Sequence, residues 1–415
     1  MAKTPGNNSI SWEFILRALR YRNYRLFFCG QSISLIGTWM QGVAASWLVY
    51  RLTHSAFLLG VVGFAAQIPT FFFAPVSGVL ADRWNRHRIL LVTQTLAMLQ
   101  AFVLALLALS GKIAVLHVIV LSIILGLINA FDMPSRHSFV VDMVEKREDL
   151  GNAIALNSLM INGARLLGPA IAGIIVALVG EGVCFLLNAL SYLAIIFALL
   201  KMNIRPREIP SQKNHLLADL KQGFVYVFGF AQIRQILLLF ALINLMGVSY
   251  SVLMPVFAKE IFAGGPHTLG FLIGATGLGA LVGSIFVASQ KDARELAKAI
   301  PFASYIFGAG LVAFSFSRIF GLSLLLLSLM GFGMMVQIAS SNTVIQTLTD
   351  DDKRGRVMGL YTMAFLGMAT FGSLLVGGLA TKIGAPHTLL ISGITCLLGT
   401  IFFSRKFRFT PPAIR

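Results

Sequence analysis

Residues 78–88 read Gly78-Val79-Leu80-Ala81-Asp82-Arg83-Trp84-Asn85-Arg86-His87-Arg88, a short polar connection between two long apolar runs. An acidic side chain beside a basic cluster at a helix end can hold two helices together through charge and the helix dipole. Such a latch can form and break as a protein changes conformation. A plain anchor on the positively charged side of a membrane explains the arginines, but it explains neither Asp82 nor Gly78. The candidate gating residues of this latch are Gly78, Asp82, Arg83, Arg86 and Arg88.

The composition around this connection indicates a membrane protein. Of the 415 residues, 57% are hydrophobic and only 12% are charged, and the mean hydropathy is +0.82. Soluble domains are about a quarter charged. A water-soluble core of this size could not hide so much apolar surface, so lipid must solvate much of the chain.

Apolar runs long enough to cross a bilayer, about 20 residues each, occur twelve times along the sequence. They lie at approximately 26–50, 56–80, 89–110, 113–131, 153–179, 183–200, 234–257, 269–289, 299–316, 320–340, 357–380 and 387–404. The fold class predicted from them is an all-α membrane protein with twelve transmembrane helices.

The net charge of +17 raises nucleic-acid binding as an alternative, but the basic residues fall mainly in short gaps between the apolar runs. That distribution marks the cytoplasmic side of a membrane protein. Five of the 33 basic residues lie in the connections predicted to be outside, and one lies within a span, whereas the rest lie on or near the inner side. We therefore expect a multi-pass protein of the inner (plasma) membrane with both termini in the cytoplasm.

A polar stretch near the middle of the chain divides it into two halves of six spans. The predicted domains are an N-terminal six-helix bundle over 1–200, a cytoplasmic linker over 201–231 and a C-terminal bundle over 232–415. The later part of the linker, from His215, is expected to form an amphipathic helix.

The two halves also resemble each other weakly. A shift of 204 residues places Gly163, Gly168 and Gly173 on further glycines, and a shift of 210 places Gly60 on Gly270 and Asp82 on Asp292. A shift of six spans preserves orientation, so a parallel pseudo-repeat relates the predicted bundles.

The pattern G-x-L-A-D-R-x-x-R-x-R over residues 78–88 resembles the signature loop of the major facilitator superfamily, between its second and third helices. One departure is that Asn85 replaces the second glycine of the signature, and Asn tolerates the left-handed backbone that such a turn can need. The resemblance implies two six-helix bundles, a central cavity and alternating access by rocking of the bundles.

The fifth span carries small residues at spacings of four to five, which let helices approach closely, together with a proline that permits a kink. This stretch is similar to the antiporter motif of the superfamily's exporters, although an ordinary packing face is the alternative. The helix-packing motif comprises Gly163, Gly168, Pro169 and Gly173.

Further segments resemble one branch of the superfamily, the secretion-type carriers that include enterobactin exporters. They are residues 37–41 (GTWMQ), 47–50 (WLVY) and 131–136 (FDMPSR). The resemblance covers nearly the whole chain, and it is informative about the family but weak about the substrate.

Three ionisable side chains lie in or at the ends of predicted spans. Arg165 lies within the fifth span, where a cation costs about 2.5–3.5 kcal/mol; it attracts an anionic or acidic-phenol substrate, gates the inner mouth, or is a structural ion pair. Asp132 and Arg136 form a favourable helical pair if Pro134 does not break the helix between them. The pair is a gate or plain structure in preference to a proton carrier, because an arginine keeps a neighbouring carboxylate ionised.

Helices one, four, seven and ten are expected to face the cavity, and aromatic rings there could stack on a planar ligand. For each polar residue alone, hydrogen bonding between helices is the alternative. The candidate cavity residues are Gln31, Trp39, Gln41, Asn129, Arg165, Asn244, Tyr250, Gln337 and Asn342.

The sequence contains no nucleotide-binding loop, no metal-ligand spacing and no supported catalytic triad. We therefore expect neither an enzyme nor a cofactor or metal. The leading hypothesis is a monomeric secondary transporter that exports a small, partly hydrophobic molecule, such as a siderophore or drug-like compound, with H+ as coupling ion. Import of a siderophore or metabolite, a lipid flippase, and a non-transporting scaffold are the alternatives.

Overall fold

The protein is described from a computed structural model covering residues 16–203, 216–290, 292–350 and 353–407, without the side chains of 74–76, 78–83, 147, 216–221 and 223. Every regular element in these ranges is helical. In chain order the helices are α1 (Arg22–Thr53), α2 (Ala56–Arg83), α3 (Arg86–Leu109), α4 (Val115–Asp142), α5 (Arg147–Val179), α6 (Glu181–Leu200), α7 (Leu216–Gly229), α8 (Ala231–Ile261), α9 (Pro266–Ser289), α10 (Ala293–Phe316), α11 (Phe320–Leu348), α12 (Arg354–Ile383) and α13 (Ala385–Lys406).

Eleven helices of the described part are long and apolar enough to cross a membrane. Helix α1 is not among them: it has ample length at 32 residues, but it carries buried polar side chains such as Gln31 and Gln41. Helix α7, with 14 residues, is too short to span a bilayer. It falls in the predicted linker, where a helix was expected.

The helices α4, α5 and α11 extend well beyond the apolar runs that predicted them. Backbone hydrogen bonds of a helix do not depend on apolar side chains, so a helix continues where its side chains become polar and hydropathy detects only part of it. Helix α4 also runs through Pro134, where a break was considered. The proline removes one backbone donor, and the side-chain ion pair between Asp132 and Arg136 spans the position.

Helix α8 is irregular over much of its length. After a regular start over Ala231–Leu242, it continues as π-helix over Ile243–Gly247, as 3₁₀-helix over Val248–Leu253 and again as π-helix over Phe257–Ile261. Its hydrogen bonds therefore change register several times. No proline or glycine pattern in the sequence predicted this.

Contacts between the long helices define an N half (α1–α6) and a C half (α8–α13). In the N half, α1 packs on α5 and α6, α2 on α4, and α3 on α4 and α6; in the C half, α11 packs on α9 and α10, and α13 on α10. The halves meet mainly along two helix pairs, α5 with α9 and α2 with α12.

These two helix pairs approach backbone to backbone at one end of the molecule. A Cβ atom on Gly173 of α5 would lie 3.0 Å from the Cα atom of Gly270 of α9, and one on Gly60 of α2 would lie 3.3 Å from the Cα atom of Gly377 of α12. We call this end the far side; it carries the α1–α2, α3–α4, α5–α6, α8–α9, α10–α11 and α12–α13 connections. The opposite end, which carries α7, is the linker side.

Toward the linker side, open space lies beside the glycines of α5 and α12. No heavy atom of the described residues lies within 4 Å of a Cβ built on Gly151, Gly163, Gly355 or Gly359. These four glycines, unlike Gly60 and Gly173, therefore mark no close backbone contact between the halves.

Polar contacts hold the linker-side start of α1 against the start of α5. The Tyr21 hydroxyl donates to Asp149 Oδ2 at 2.7 Å, and Arg17 Nε lies 2.9 Å from Asp149 Oδ1. The hydrogen bond to this carboxylate raises the pKa of Tyr21, so the phenol stays protonated and keeps its role as donor.

Candidate functional site

The guanidinium of Arg165 is the point at which side chains of both halves converge. It lies over the Trp39 ring of α1, with 5.5 Å between Cζ and the ring centroid. Its Nη2 atom lies 3.9 Å from the sulfur of Met334 on α11. Tyr250 of α8 is close enough to interact with it electrostatically. Four helices thus bring together three of the predicted cavity residues.

A glycine one turn along α5 explains how Trp39 reaches Arg165. A Cβ atom on Gly168 would lie 2.6 Å from Trp39 Cβ and 2.9 Å from the carbonyl oxygen of Ile36. A real side chain cannot make such contacts, so the glycine permits α1 and α5 to approach closely. Residues three apart share a helix face, and Arg165 is therefore presented to the same surface of α1.

Not all hydrogen-bond donors of the Arg165 guanidinium have a partner among the described residues. Its Nε atom is buried and has no hydrogen-bond partner within the described residues. A cation–π contact contributes about 0.5–2 kcal/mol, which offsets part of the cost of a charge within a span. A guanidinium has five N–H donors and no acceptor, and the thioether of Met334 is a weak acceptor. The arrangement is thus suited to receive a negatively charged or strongly hydrogen-bond-accepting group.

Two other predicted cavity residues also keep unused polar atoms. Gln337 lies one turn from Met334 on α11 and is 1% exposed, and its Oε1 atom is buried without a partner in the described part of the chain. Asn244 on α8 donates to the carbonyl oxygen of Phe240 at 2.8 Å, while its Oδ1 atom has no described partner. Buried polar atoms of this kind are rare in folded proteins.

Gln41, in contrast, belongs to a network that ties the N half together. Its amide nitrogen donates to Gln100 at 3.1 Å, its oxygen accepts from Asn188 at 2.7 Å, and Gln100 donates on to the carbonyl oxygen of Leu121. These bonds join α6, α1, α3 and α4. Packing between helices therefore accounts for Gln41 without a ligand.

Within the described part of the chain, the remaining predicted cavity residues form no hydrogen bond or ring contact with Arg165. Gln31 is buried on α1, and Asn129 is half-buried on α4. Asn342 accepts a hydrogen bond of 2.6 Å from Gln346 of its own helix.

Asp132 is buried and fully hydrogen-bonded. Its Oδ1 atom accepts from Thr93 at 2.8 Å and from Gln94 at 2.7 Å, and its Oδ2 atom accepts from Arg136 Nε at 2.9 Å. All of these partners lie on α3 and α4 of the N half. The interactions support a structural role, and they form no contact between the halves.

The signature loop contributes a further ion pair within the N half. Arg86 Nη1 lies 3.0 Å from Asp142 Oδ2, which joins the start of α3 to the end of α4. Asn85 has φ −66° and caps α3 by accepting from the backbone N–H of Arg88 at 3.2 Å. The asparagine that departs from the family signature is thus an N-cap, and a left-handed backbone is not required. The Arg88 side chain is exposed.

The latch predicted at Gly78, Asp82 and Arg83 lies outside the described side chains.

The four residues of the predicted packing motif do different things. Gly168 faces α1, as described above. Gly173 faces α9, and the Pro169 carbonyl oxygen also lies against Gly270. Gly163 has open space beside it. Close packing accounts for three of the four positions.

Two polar contacts at the far side were not predicted from the sequence. The Tyr50 hydroxyl at the end of α1 hydrogen-bonds to Glu260 at the end of α8. The next residue, Arg51, binds Glu181 at the start of α6 through two bonds of 2.8 and 3.2 Å. The available signal was that acidic residues stand at 181 and 260, in connections otherwise predicted to be basic or neutral. No sequence pattern indicated that Met334 would contact Arg165.

Comparison with known proteins gives a consistent result. The sequence model of the transmembrane secretion effector family matches residues 15–411. The staphyloferrin A transporter of Staphylococcus aureus is 26% identical over 388 residues, covering 92% of this chain and 97% of that protein. The enterobactin exporter EntS of Shigella boydii is 27% identical over 417 residues, covering 98% and 99%.

Solved structures share the fold. A bacterial homologue of the iron transporter ferroportin in an inward-facing state has a TM-score of 0.70 at 16% identity, covering 93% of this chain and 98% of that one. A POT family transporter in complex with 5-aminolevulinic acid has a TM-score of 0.72 at 13% identity, covering 92% and 96%. The chain is a multi-pass membrane protein that belongs to the transmembrane secretion effector family of major facilitator superfamily transporters.

Proposed function

We propose that this transporter exports a small, partly hydrophobic molecule that carries negative charge, and that siderophores are its substrate class. The observation that carries the proposal is the Arg165 guanidinium, which both halves surround and whose Nε has no described partner. Trp39 and Tyr250 add aromatic surface for the apolar part of a substrate. The names of the relatives, a staphyloferrin A transporter and an enterobactin exporter, support the same class.

The architecture that we propose has twelve spans, with α1 as the twelfth, in two bundles related by a parallel repeat. The far-side contacts support the repeat. Under the shifts of 204 and 210 residues, Gly173 corresponds to Gly377 and Gly60 corresponds to Gly270. The contact of Gly173 with Gly270 then corresponds to that of Gly377 with Gly60.

We place the linker side in the cytoplasm of a cell whose inner (plasma) membrane holds the protein. Arg51, Lys112, Lys259, Arg318 and Lys382 are the basic residues of the far-side connections, and the much larger number at the linker side follows the positive-inside distribution. In this orientation the far-side closure makes the described conformation inward-facing. Transport proceeds by alternating access of a monomer, with H+ as the coupling ion.

Import of the same substrate is the second candidate. The observation in its favour is that helix packing explains most of the motif that suggested export, because Gly168 and Gly173 make close backbone contacts. Direction depends on coupling, and the same cavity serves both directions.

The test is uptake of a radiolabelled, iron-free catecholate siderophore into inverted membrane vesicles, with and without a proton uncoupler. We expect uncoupler-sensitive uptake that Arg165→Ala abolishes and that Lys298→Ala leaves intact, because Lys298 is exposed on α10 and paired with Glu295. Uptake only by right-side-out cells would establish import. Absence of uptake from either preparation would refute this substrate.

A further inference from the structure

We propose that the linker helix α7 lies on the surface of the bilayer, with an apolar stripe of Phe224, Val225 and Phe228 buried in lipid at the boundary between headgroups and acyl chains. The contact with lipid is independent of the substrate and of the direction of transport. Only the choice of the cytoplasmic leaflet rests on the orientation proposed above.

The stripe is a continuous apolar surface of α7. Phe224, Val225 and Phe228 are 48%, 69% and 51% exposed, and the two phenyl rings stack with 6.1 Å between their centroids. Residues at positions i, i+1 and i+4 fall within about 100° of the circumference of a helix. An exposed apolar surface of this kind marks a contact with another apolar body.

The opposite face of α7 is covered by the C half. Val227 is 3% exposed. The Tyr226 hydroxyl donates to Asp350 Oδ2 at 3.3 Å, and Lys353 Nζ lies 4.8 Å from the centroid of the Tyr226 ring. Asp350 and Lys353 lie in the connection between α11 and α12, so α7 packs against the bundle there and its stripe faces away from it.

The depth of α7 follows from its junction with α8. Helix α7 ends at Gly229 and the apolar span of α8 begins at Ala231, so Phe230 alone separates them. Arg234, in the first turn of α8, donates from Nη1 to the carbonyl oxygen of Phe228 at 3.0 Å. A guanidinium at the start of a span lies at the level of the headgroups, and this bond places the end of α7 at the same level.

Lipid is the occupant that the surroundings of the stripe favour. Phe230 is 39% exposed, and Leu238, two turns into α8, is 56% exposed. Exposed apolar surface therefore continues from the stripe onto a span, whose exposed apolar side chains face lipid. Helix α7, with 14 residues, is too short to cross the bilayer but has the two dissimilar faces of a helix that lies in the membrane interface.

The measurement is the rate at which spin labels on the protein collide with two reagents in lipid nanodiscs. Oxygen concentrates in hydrocarbon, whereas a hydrophilic nickel chelate stays in water. Labels are attached in turn to Val225→Cys and Phe228→Cys, in a chain in which Cys29→Ser removes the exposed native cysteine. Leu238→Cys is the lipid reference, and Glu295→Cys is the water reference because Glu295 is exposed in the first turn of α10 at the linker side.

We expect the ratio of oxygen to nickel collision rates at both stripe positions to be several-fold higher than at the water reference and to approach that at the lipid reference. Gln222→Cys is the matched control, because Gln222 is an exposed residue of α7 outside the stripe. Its ratio should be lower than at either stripe position. A ratio at Gln222 equal to theirs would show that no single face of α7 is buried in lipid, and would overturn the stripe.

Ratios at Val225 and Phe228 that match the water reference would also overturn the proposal. So would low collision rates with both reagents, because they would show that protein covers the stripe; dipolar coupling between labels would then identify that protein as a second copy of this chain. Siderophore uptake in vesicles is measured separately. Lipid-like ratios without uptake would refute the proposed function and leave the position of α7 standing, whereas water-like ratios with uptake would do the reverse.

Discussion

Asp132 and Arg165 are charged side chains held among the helices, and the protein stabilises them in opposite ways. Asp132 receives hydrogen bonds from Thr93, Gln94 and Arg136 and has little capacity left for a ligand. Arg165 rests on Trp39, and its Nε donor is unused. The first arrangement is typical of a structural charge and the second of a binding site.

Removal of the Asp132 carboxylate should therefore destabilise the protein. Asp132→Ala leaves Arg136 mostly buried without its partner, and breaking a buried pair in this way costs about 3–5 kcal/mol. We expect a large fall in the apparent unfolding temperature in detergent. Asp292→Ala, which removes only an exposed N-cap of α10, should cost about 1 kcal/mol.

A second substitution at the same position, Asp132→Asn, bears on proton coupling. If Asp132 is structural, uptake by the surviving Asp132→Asn protein should keep the pH dependence of the wild type. A pH profile displaced or flattened by this variant would instead identify Asp132 as a proton carrier.

Residue chemistry was partly predictable from the sequence. Arg165 stands out because a cation within an apolar run is rare, and Asp132 with Arg136 stands out because of their helical spacing. Glu260 was not predictable, since it lies at a helix end where an acid is unremarkable. Its importance depends on which residue of α1 lies opposite, and that contact spans 210 positions.

At the scale of helices, the far-side contacts depend on the absence of side chains. A Cβ atom on Gly173 would lie 2.8 Å from the Pro266 carbonyl oxygen and 2.9 Å from the Cα atom of His267. Both neighbours are backbone atoms, so a helix must move to admit even a methyl group. At this level, helices α5 and α9 can therefore approach so closely only because residue 173 is a glycine.

We expect Gly173→Ala to disfavour the closed far side. A cysteine introduced at the far side should become more reactive toward an impermeant maleimide, by about ten-fold if the contact loses about 1.4 kcal/mol. Gly163→Ala is the control, because it lies on the same helix and in the same motif but has open space beside it. Equal reactivity in the two variants would show that the close approach does not govern closure.

Helix positions followed from the sequence more closely than helix shapes did. Apolar runs located the long helices because hydrocarbon requires them, but the register changes of α8 and the continuity of α4 at Pro134 depend on neighbouring helices. The twelve spans predicted from the sequence exceed by one the eleven described helices that meet the criteria of length and apolarity. The helix that accounts for the difference is α1, whose buried glutamines lower its apolarity. The hydrogen bonds that these glutamines make cannot be read from the sequence alone.

For the whole molecule, the two halves are joined by pairs of glycine contacts on opposite sides of the interface. On one side, Ser373 of α12 also donates to the carbonyl oxygen of Gly60 on α2 at 3.2 Å. The rocking of the halves that we propose would have to break this side and its counterpart between α5 and α9 together. Transport should therefore stop if either is covalently closed.

A disulfide between Gly63→Cys and Ser373→Cys provides the test. A Cβ built on Gly63 lies 3.3 Å from Ser373 Cβ, close to the separation that disulfides adopt. We expect oxidation to abolish uptake in a Cys29→Ser background and reduction to restore it. Each single-cysteine variant should be insensitive to oxidant, and a cross-linked protein that still transports would contradict rocking about this interface.

The irregular course of α8 makes the two halves mechanically unequal. A regular α-helix such as α1 is stiff, because its backbone hydrogen bonds follow one repeating pattern. A displacement at one end is therefore transmitted to the other end. Helix α8 passes from π to 3₁₀ and back to π between Ile243 and Ile261, and such a stretch has several pairings of similar energy. The irregular stretch of α8 can therefore lengthen or rotate about the helix axis without unfolding. In the rocking motion that we propose, the C half can consequently deform within α8, whereas the described residues of the N half contain no π-helical segment that could deform in the same way.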